Sequence, residues 1–167
     1  RTFRKKLSKV ISEQDRGISD AFNKGVKASR GEYIQFLNAD DYLAPDKIGK
    51  SVTRLREHPS AGFMFGDIIR VGVNGTQKRI RGDPHFRRWI RFTMGRLNHP
   101  TVLVKRILFE RFGFFDERWS IAMDYEWVLR IHNAGIGGIY SPDVITYMGA
   151  GGASEADAYT AFREVRD

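Results

Sequence analysis

The chain has 167 residues, 41% of them hydrophobic, no Cys, and a formal net charge of +8 from 28 Lys and Arg against 20 Asp and Glu. That much apolar material can bury a core, and the length favours a single domain spanning residues 1–167. The composition excludes disulfides, thiolate metal sites and low-complexity disorder; no apolar run nears the roughly 18 residues of a membrane span, a cytoplasmic setting is permitted, and any metal must use oxygen or histidine ligands.

The amino end carries Arg1, Arg4, Lys5, Lys6 and Lys9 with neither an initiator Met nor a signal-peptide pattern, so the chain is expected to be a fragment of a longer one. Lys9–Ser12 is a short strand candidate. Ser19 is expected to cap a helix whose apolar residues Ile18, Phe22 and Val26 recur every four positions, with Gly31 as its stop. Glu32–Leu37 then changes period, reads as a buried strand, and runs directly into Asn38-Ala39-Asp40-Asp41. Pro45 fits the first turn of a second helix with Ile48, Val52 and Leu55 on its apolar face.

Ala61–Val71 predicts a long strand, and Asn74-Gly75 a two-residue hairpin turn into Thr76–Ile80. Residues 84–95 predict a basic helix in which Phe86, Trp89, Ile90 and Phe92 alternate with Arg87, Arg88 and Arg91. Thr101–Val104 follows as a strand, Arg106–Phe112 as a helix stopped by Gly113, and Asp124–Ala134 as a helix stopped by Gly135. Two strands, Gly138–Tyr140 and Val144–Met148, precede a turn containing Gly149, Gly151 and Gly152, and Ser154 with Asp157 predicts a capped terminal helix. Strands alternating with helices, plus one hairpin, define an α/β mixed sheet, in which ligands gather at the carboxyl ends of strands.

Two carboxylate clusters stand out. Asp40 and Asp41 follow an apolar strand, where a hard divalent cation could neutralise them; Asn38 and Asp41 serve equally well as turn and helix caps. The second cluster is Asp116-Glu117 with Asp124-Tyr125-Glu126. Asp124, at the start of a helix, is kept ionised by the helix dipole and could act as a general base or be an ordinary helix-start residue. Glu126 and Arg130, four apart, predict a surface ion pair.

The segments Ser12–Gly25, Gly31–Ile34 and Phe36–Asp41, then Asn98-His99-Pro100, Phe112–Glu117 and Ile121–Arg130, together resemble glycosyltransferase family 2 in order and spacing, from about Ser12 to Ser154. The resemblance implies a GT-A fold, here a mixed sheet flanked by helices, incomplete at the amino end and bearing a β-hairpin insertion. It implies an inverting, hexosyltransferase-type enzyme that moves sugar from a nucleotide-diphosphate donor to a hydroxyl acceptor with Mg²⁺ or Mn²⁺, in cell-surface polysaccharide or lipid-linked glycan synthesis in the cell envelope.

By position, the resemblance makes Asp40 the metal ligand, Asn38 a ribose-side contact, Asp124 the catalytic base, and Asp15, Asp20 and Asn23 residues bordering the nucleotide; His99 and Trp127 fall on the acceptor side. Asn38 stands where Asp is commoner and Met123 where Glu is commoner, and no His follows Tyr147 as a further metal ligand. The strand, helix and strand that usually hold the nucleotide base have no counterpart, which makes a non-catalytic scaffold the rival reading. The basic segment of residues 84–96 adds an expected contact with the inner face of a membrane, where lipid-linked acceptors lie; the acidic clusters and the lack of a binding motif argue against nucleic acid as a partner.

Overall fold

In the computed structural model, residues 7–93, 96–149 and 157–166 are described. In chain order the elements are α1 (Ile18–Ala28), β1 (Tyr33–Gln35), β2 (Tyr42–Leu43), α2 (Lys47–Glu57), β3 (Ala61–Val71), β4 (Gln77–Ile80), β5 (Leu103–Lys105), α3 (Ile107–Phe112), α4 (Met123–Asn133), β6 (Gly137–Gly149) and α5 (Ala158–Arg166). Short 3-10 turns lie at Phe86–Arg88 and His99–Thr101. The sheet has the order β1-β5-β3-β6-β2, with β4 paired to β3. Only β3 and β6 run parallel; the other pairs are antiparallel.

β3 occupies the centre because Ala61 to Ile68 is buried throughout, a pattern that suits a strand covered on both faces. The larger core cluster joins Phe63 and Phe65 of β3 to Phe109 of α3 and to Trp127, Val128 and Ile131 of α4. A smaller one packs Leu55 of α2 against Met64, Leu103 and Val144. Glycines let β6 approach: a Cβ at Gly138 would lie 2.2 Å from the Phe63 ring, and one at Gly66 would lie 1.9 Å from the Val144 carbonyl.

Several elements differ from expectation. Lys9–Ser12 forms no strand and lies exposed. Helix α1 begins one residue before Ser19, with Gly17 at φ 146° as its N-cap; Ser19 is buried, and its hydroxyl donates to the Trp119 carbonyl at 2.9 Å. The helix ends at Ala28, before Gly31, where the Ser29 N–H and hydroxyl satisfy carbonyls of the last turn. In α2 Leu55 is buried and Val52 packs against the core as predicted, but Lys47 and Ser51 complete the buried face while Ile48 is exposed. Lys47 is fully buried, donates to Gln35 Oε1, and burial pushes its ammonium down to about 7.

The hairpin is present, but its ladder closes at Gly72 and Thr76, leaving the three-residue loop Val73-Asn74-Gly75 in place of a two-residue turn. Residues 84–93 make a 3-10 turn at Phe86–Arg88 followed by further turns in place of a continuous helix, with Phe86 and Ile90 both in the core. The two strands expected near the carboxyl end are one, β6, with a bulge where Phe65 pairs Tyr140 and Asp67 pairs Ile145. Gly113 and Gly135 end α3 and α4 as predicted, each at φ 84°. Ser154, Gly151 and Gly152 lie outside the described residues; the Asp157 carboxylate accepts the Thr160 N–H at 3.0 Å at the start of α5.

Candidate active site

The acidic turn follows β1, which stops at Gln35, short of the predicted strand end. Phe36 leaves the strand direction to stack on Phe22 of α1, ring centroids 4.6 Å apart, and the next residues turn outward. Within the turn the Asn38 side-chain amide donates to Asp41 Oδ2 at 3.1 Å, and the Gly149 N–H donates to Asp41 Oδ1 at 3.2 Å. Asp41 is thus the buried, structural member; burial holds its carboxyl above the usual range despite these donors. Asp40 is exposed and has no hydrogen bond or ion pair with any described residue. Helix α2 takes Asp46 as its N-cap, so the turn is not spent on capping it.

Asp40 lies against Gly149 of β6, where a Cβ would come within 2.9 Å of Asp40 Oδ2. Any larger residue there would displace the carboxylate. No group of three His, Asp or Glu able to hold a metal occurs among the described residues. The donor set fits an ion that takes one protein carboxylate and fills its shell with water and substrate phosphates, as Mg²⁺ and Mn²⁺ do, and Asp40 is the residue that could hold it.

Asp124 sits in the first turn of α4, where its Oδ1 accepts the Tyr125 N–H at 2.8 Å. Its Oδ2 lies 3.5 Å from His99 Nδ1, and both side chains are about one-sixth exposed (18% and 17%). His99 is placed by the backbone of its 3-10 turn. The Pro100 carbonyl accepts from Gln35 Nε2 and Thr146 Oγ1, each at 3.0 Å. The Thr101 hydroxyl accepts the Gly66 N–H at 2.8 Å and donates to the Asn98 carbonyl at 2.7 Å. The imidazole stacks on Phe22 and Phe36 at 6.2 and 6.0 Å, and Phe36 leads directly into the acidic turn. His99 therefore links the acidic turn to Asp124, although the three residues are far apart in the chain.

The segment before α1 is an ion network. Lys24 Nζ lies 3.0 Å from Glu13, 2.8 Å from Asp15 and 3.2 Å from Asp20, and Arg16 reaches Glu117 at 2.8 Å. The Arg16 N–H on the Asp20 carboxylate, helped by Lys24 and the Arg16 side chain, lowers it to about 2. Asn23 is 3% exposed and clips α1 to the loop before α4: its amide donates to the Phe115 carbonyl and its carbonyl accepts the Phe115 N–H, both at 2.9 Å. Asn23 thus shapes the segment from a buried position, with one donor and one acceptor function engaged internally.

Trp127 needs correction. It is 3% exposed, stacks on Phe109 at 4.3 Å and donates its indole N–H to the Gly113 carbonyl at 2.8 Å. Its helix turn points it into the core, away from an acceptor. The Glu126–Arg130 pair forms as expected and does more, since Arg130 also donates to the Phe112 and Phe114 carbonyls at 2.7 and 3.2 Å.

A curled mixed sheet with helices on its faces thus carries one open carboxylate after a strand and a second at a helix start, and this architecture matches the GT-A fold of solved glycosyltransferase structures. A structure of S. aureus TarS 1-349 in complex with UDP-GlcNAc superposes at TM-score 0.70 and 20% identity, over 98% of this chain and 50% of that one. The mannosyltransferase PcManGT from Pyrobaculum calidifontis, in complex with GDP-Man and Mn²⁺, superposes at TM-score 0.56 and 23% identity, over 92% of this chain and 41% of that one.

The profile of Glycosyl transferase family 2 matches residues 2–117. A PGL/p-HBAD biosynthesis glycosyltransferase of Mycobacterium bovis is 27% identical over 128 residues, 72% of this chain and 46% of the relative. An uncharacterized protein, y4gI, of Sinorhizobium fredii is 29% identical over 121 residues, 72% of this chain and 13% of the relative. The chain belongs to glycosyltransferase family 2, and it spans less than half the length of these two relatives.

Proposed function

We propose that the protein is an inverting glycosyltransferase of the hexosyltransferase type, that it moves a sugar from a nucleotide-diphosphate donor to a hydroxyl of a glycan or lipid-linked acceptor, and that this chain, a single domain, carries the metal side and the base of that site. The observation that carries this reading is that His99 joins the two carboxylate regions, lying 3.5 Å from Asp124 and stacking on Phe36, which leads into the open Asp40 turn. Complexes of fold relatives with UDP-GlcNAc and with GDP-Man and Mn²⁺ support the donor class and the ion. The biosynthetic name of the mycobacterial relative supports a role in envelope glycan synthesis.

In this mechanism Asp124 accepts the proton of the acceptor hydroxyl as its oxygen attacks the anomeric carbon. His99 holds that carboxylate from the side and contributes to the acceptor wall. Asp40 is the residue that would hold a divalent cation for the diphosphate end, and Asn38, exposed beside it, contacts the ribose. Asp15 and Asp20 border the nucleotide with their charges already engaged by Lys24 and Arg16. A Mg²⁺ or Mn²⁺ ion on Asp40 supplies Lewis-acid stabilisation of the leaving diphosphate. Because one base serves one displacement, the product has the opposite anomeric configuration to the donor. Proton NMR of the first product formed by the full-length protein checks this: inversion is expected, and retention would remove Asp124 from its role.

A peripheral membrane contact fits the basic segment. With Phe86 and Ile90 in the core, Trp89 and Phe92 remain 56% and 78% exposed beside exposed Arg87, Arg88 and Arg91. Aromatic side chains set among arginines suit the headgroup region of an anionic bilayer. No helix among the described residues is long and apolar enough to cross a membrane. Sedimentation with phosphatidylglycerol vesicles at low salt should carry the protein down, and Trp89→Ser with Phe92→Ser should leave it in the supernatant. A wild-type protein that stays in solution at low salt rules the contact out.

A further inference from the structure

The helix that carries Asp124 is capped from a distance. Its N-cap residue is Ala122, which has no side-chain acceptor, and no side chain of its own segment caps it. Instead three consecutive backbone N–H groups converge on Glu164 of α5. Ser120 donates to Oε1 at 2.9 Å, and Ile121 and Ala122 both donate to Oε2 at 2.8 Å. Burial pulls the Glu164 carboxyl upward, the three N–H groups outweigh that, and it rests below the usual range. Just before this nest, the Ser19 hydroxyl holds the Trp119 carbonyl. Val165, the next residue of α5, packs on the main core cluster and keeps the helix in place.

The bonds end two residues before Asp124. Beyond its own helix turn, the one partner of the Asp124 side chain among the described residues is His99 at 3.5 Å. Its position is therefore set mainly by where the first turn of α4 begins, and the Glu164 carboxylate sets that. We propose that Glu164 is a positioning residue for the reaction: by filling the Ser120–Ala122 nest it fixes the height and direction of the Asp124 carboxylate against the acceptor. The inference rests on Asp124 being the base. Displacement of a reacting group by about 1 Å costs roughly 10²-fold in rate, so a looser helix start should appear in catalysis before it appears in folding.

The test uses the full-length protein with Glu164→Ala and Glu164→Gln, the latter keeping the shape of the side chain and one acceptor oxygen. Expected for Glu164→Ala is a fall in kcat of about tenfold or more with donor KM within about twofold, and a smaller fall for Glu164→Gln. Added formate, which can enter the vacated nest, should restore part of the Glu164→Ala rate and leave the wild type unaffected. Amide resonances of Ser120, Ile121 and Ala122 should move in both variants and return toward wild type with formate. Unchanged kcat while those amides shift overturns the positioning role. So does a kcat that falls only in step with melting temperature and donor affinity and shows no formate rescue, since that is a stability effect alone. Failure of the underlying reading is separable: Asp124→Asn would then transfer sugar at the wild-type rate, whatever the Glu164 variants do.

Discussion

Asp124→Asn is expected to lower kcat for sugar transfer on the order of 10²–10⁴-fold while the donor binds as before. The substitution is nearly isosteric, and the amide oxygen can still accept the Tyr125 N–H that Asp124 Oδ1 accepts at 2.8 Å. The fold loses only a negative charge at a helix start, about 0.3–1 kcal/mol. What disappears is a basic oxygen able to take a proton. The neighbouring His99 does not substitute, because its ring is fixed beside the stacked pair of Phe22 and Phe36 by a turn bonded to Gln35, Gly66 and Thr146. Steady-state rates with acceptor saturating, set beside donor affinity measured separately, check the prediction; turnover within a few-fold of wild type would remove Asp124 from the mechanism.

Asp40→Ala acts on the other half of the site. Metal-dependent donor affinity falls by about 3 kcal/mol, roughly 10²-fold, and the dependence of binding on Mn²⁺ or Mg²⁺ is lost with it. The residue is exposed and bonded to nothing else described, so its removal leaves no buried group unsatisfied and the melting temperature should stay within a degree or two of wild type. Asp41→Ala provides the contrast. It breaks the bonds from Asn38 and Gly149 and is expected to perturb the turn itself. A donor affinity for Asp40→Ala that keeps its full metal dependence would show that the ion is held elsewhere.

The parts of this site differ in how far local chemistry reveals them. β3, α3 and α4 are legible because their apolar periodicity is strong and Gly113 and Gly135 end the helices at positive φ. Asp40 and Asp124 are legible because each follows a local landmark, a strand end or a helix start. The length of β1 is not, since Phe36 leaves the strand to meet Phe22, a contact between elements. The first inward position of α2 is not, since Lys47, which donates to Gln35, takes the buried place and leaves Ile48 exposed.

Trp127 shows the opposite failure. Its place in a family pattern suggested the acceptor, while its spacing from Met123 and Ile131 already favoured the buried stripe that it joins. Two features had no local signal at all. The His99–Asp124 approach and the hold of Glu164 on Ser120–Ala122 link residues 25 and more than 40 positions apart, and only tertiary packing creates them.

In the proposed site Asp40 serves metal-dependent donor binding, and Asp124 serves proton removal from the acceptor. Calorimetric titration of UDP, GDP and their sugars, with and without Mn²⁺, into full-length wild type, Asp40→Ala and Asp124→Asn tests this assignment most directly. The account predicts Mn²⁺-dependent heat with one nucleotide, unchanged in Asp124→Asn and lost in Asp40→Ala. Equal binding by all three proteins, or binding indifferent to Mn²⁺, would contradict it.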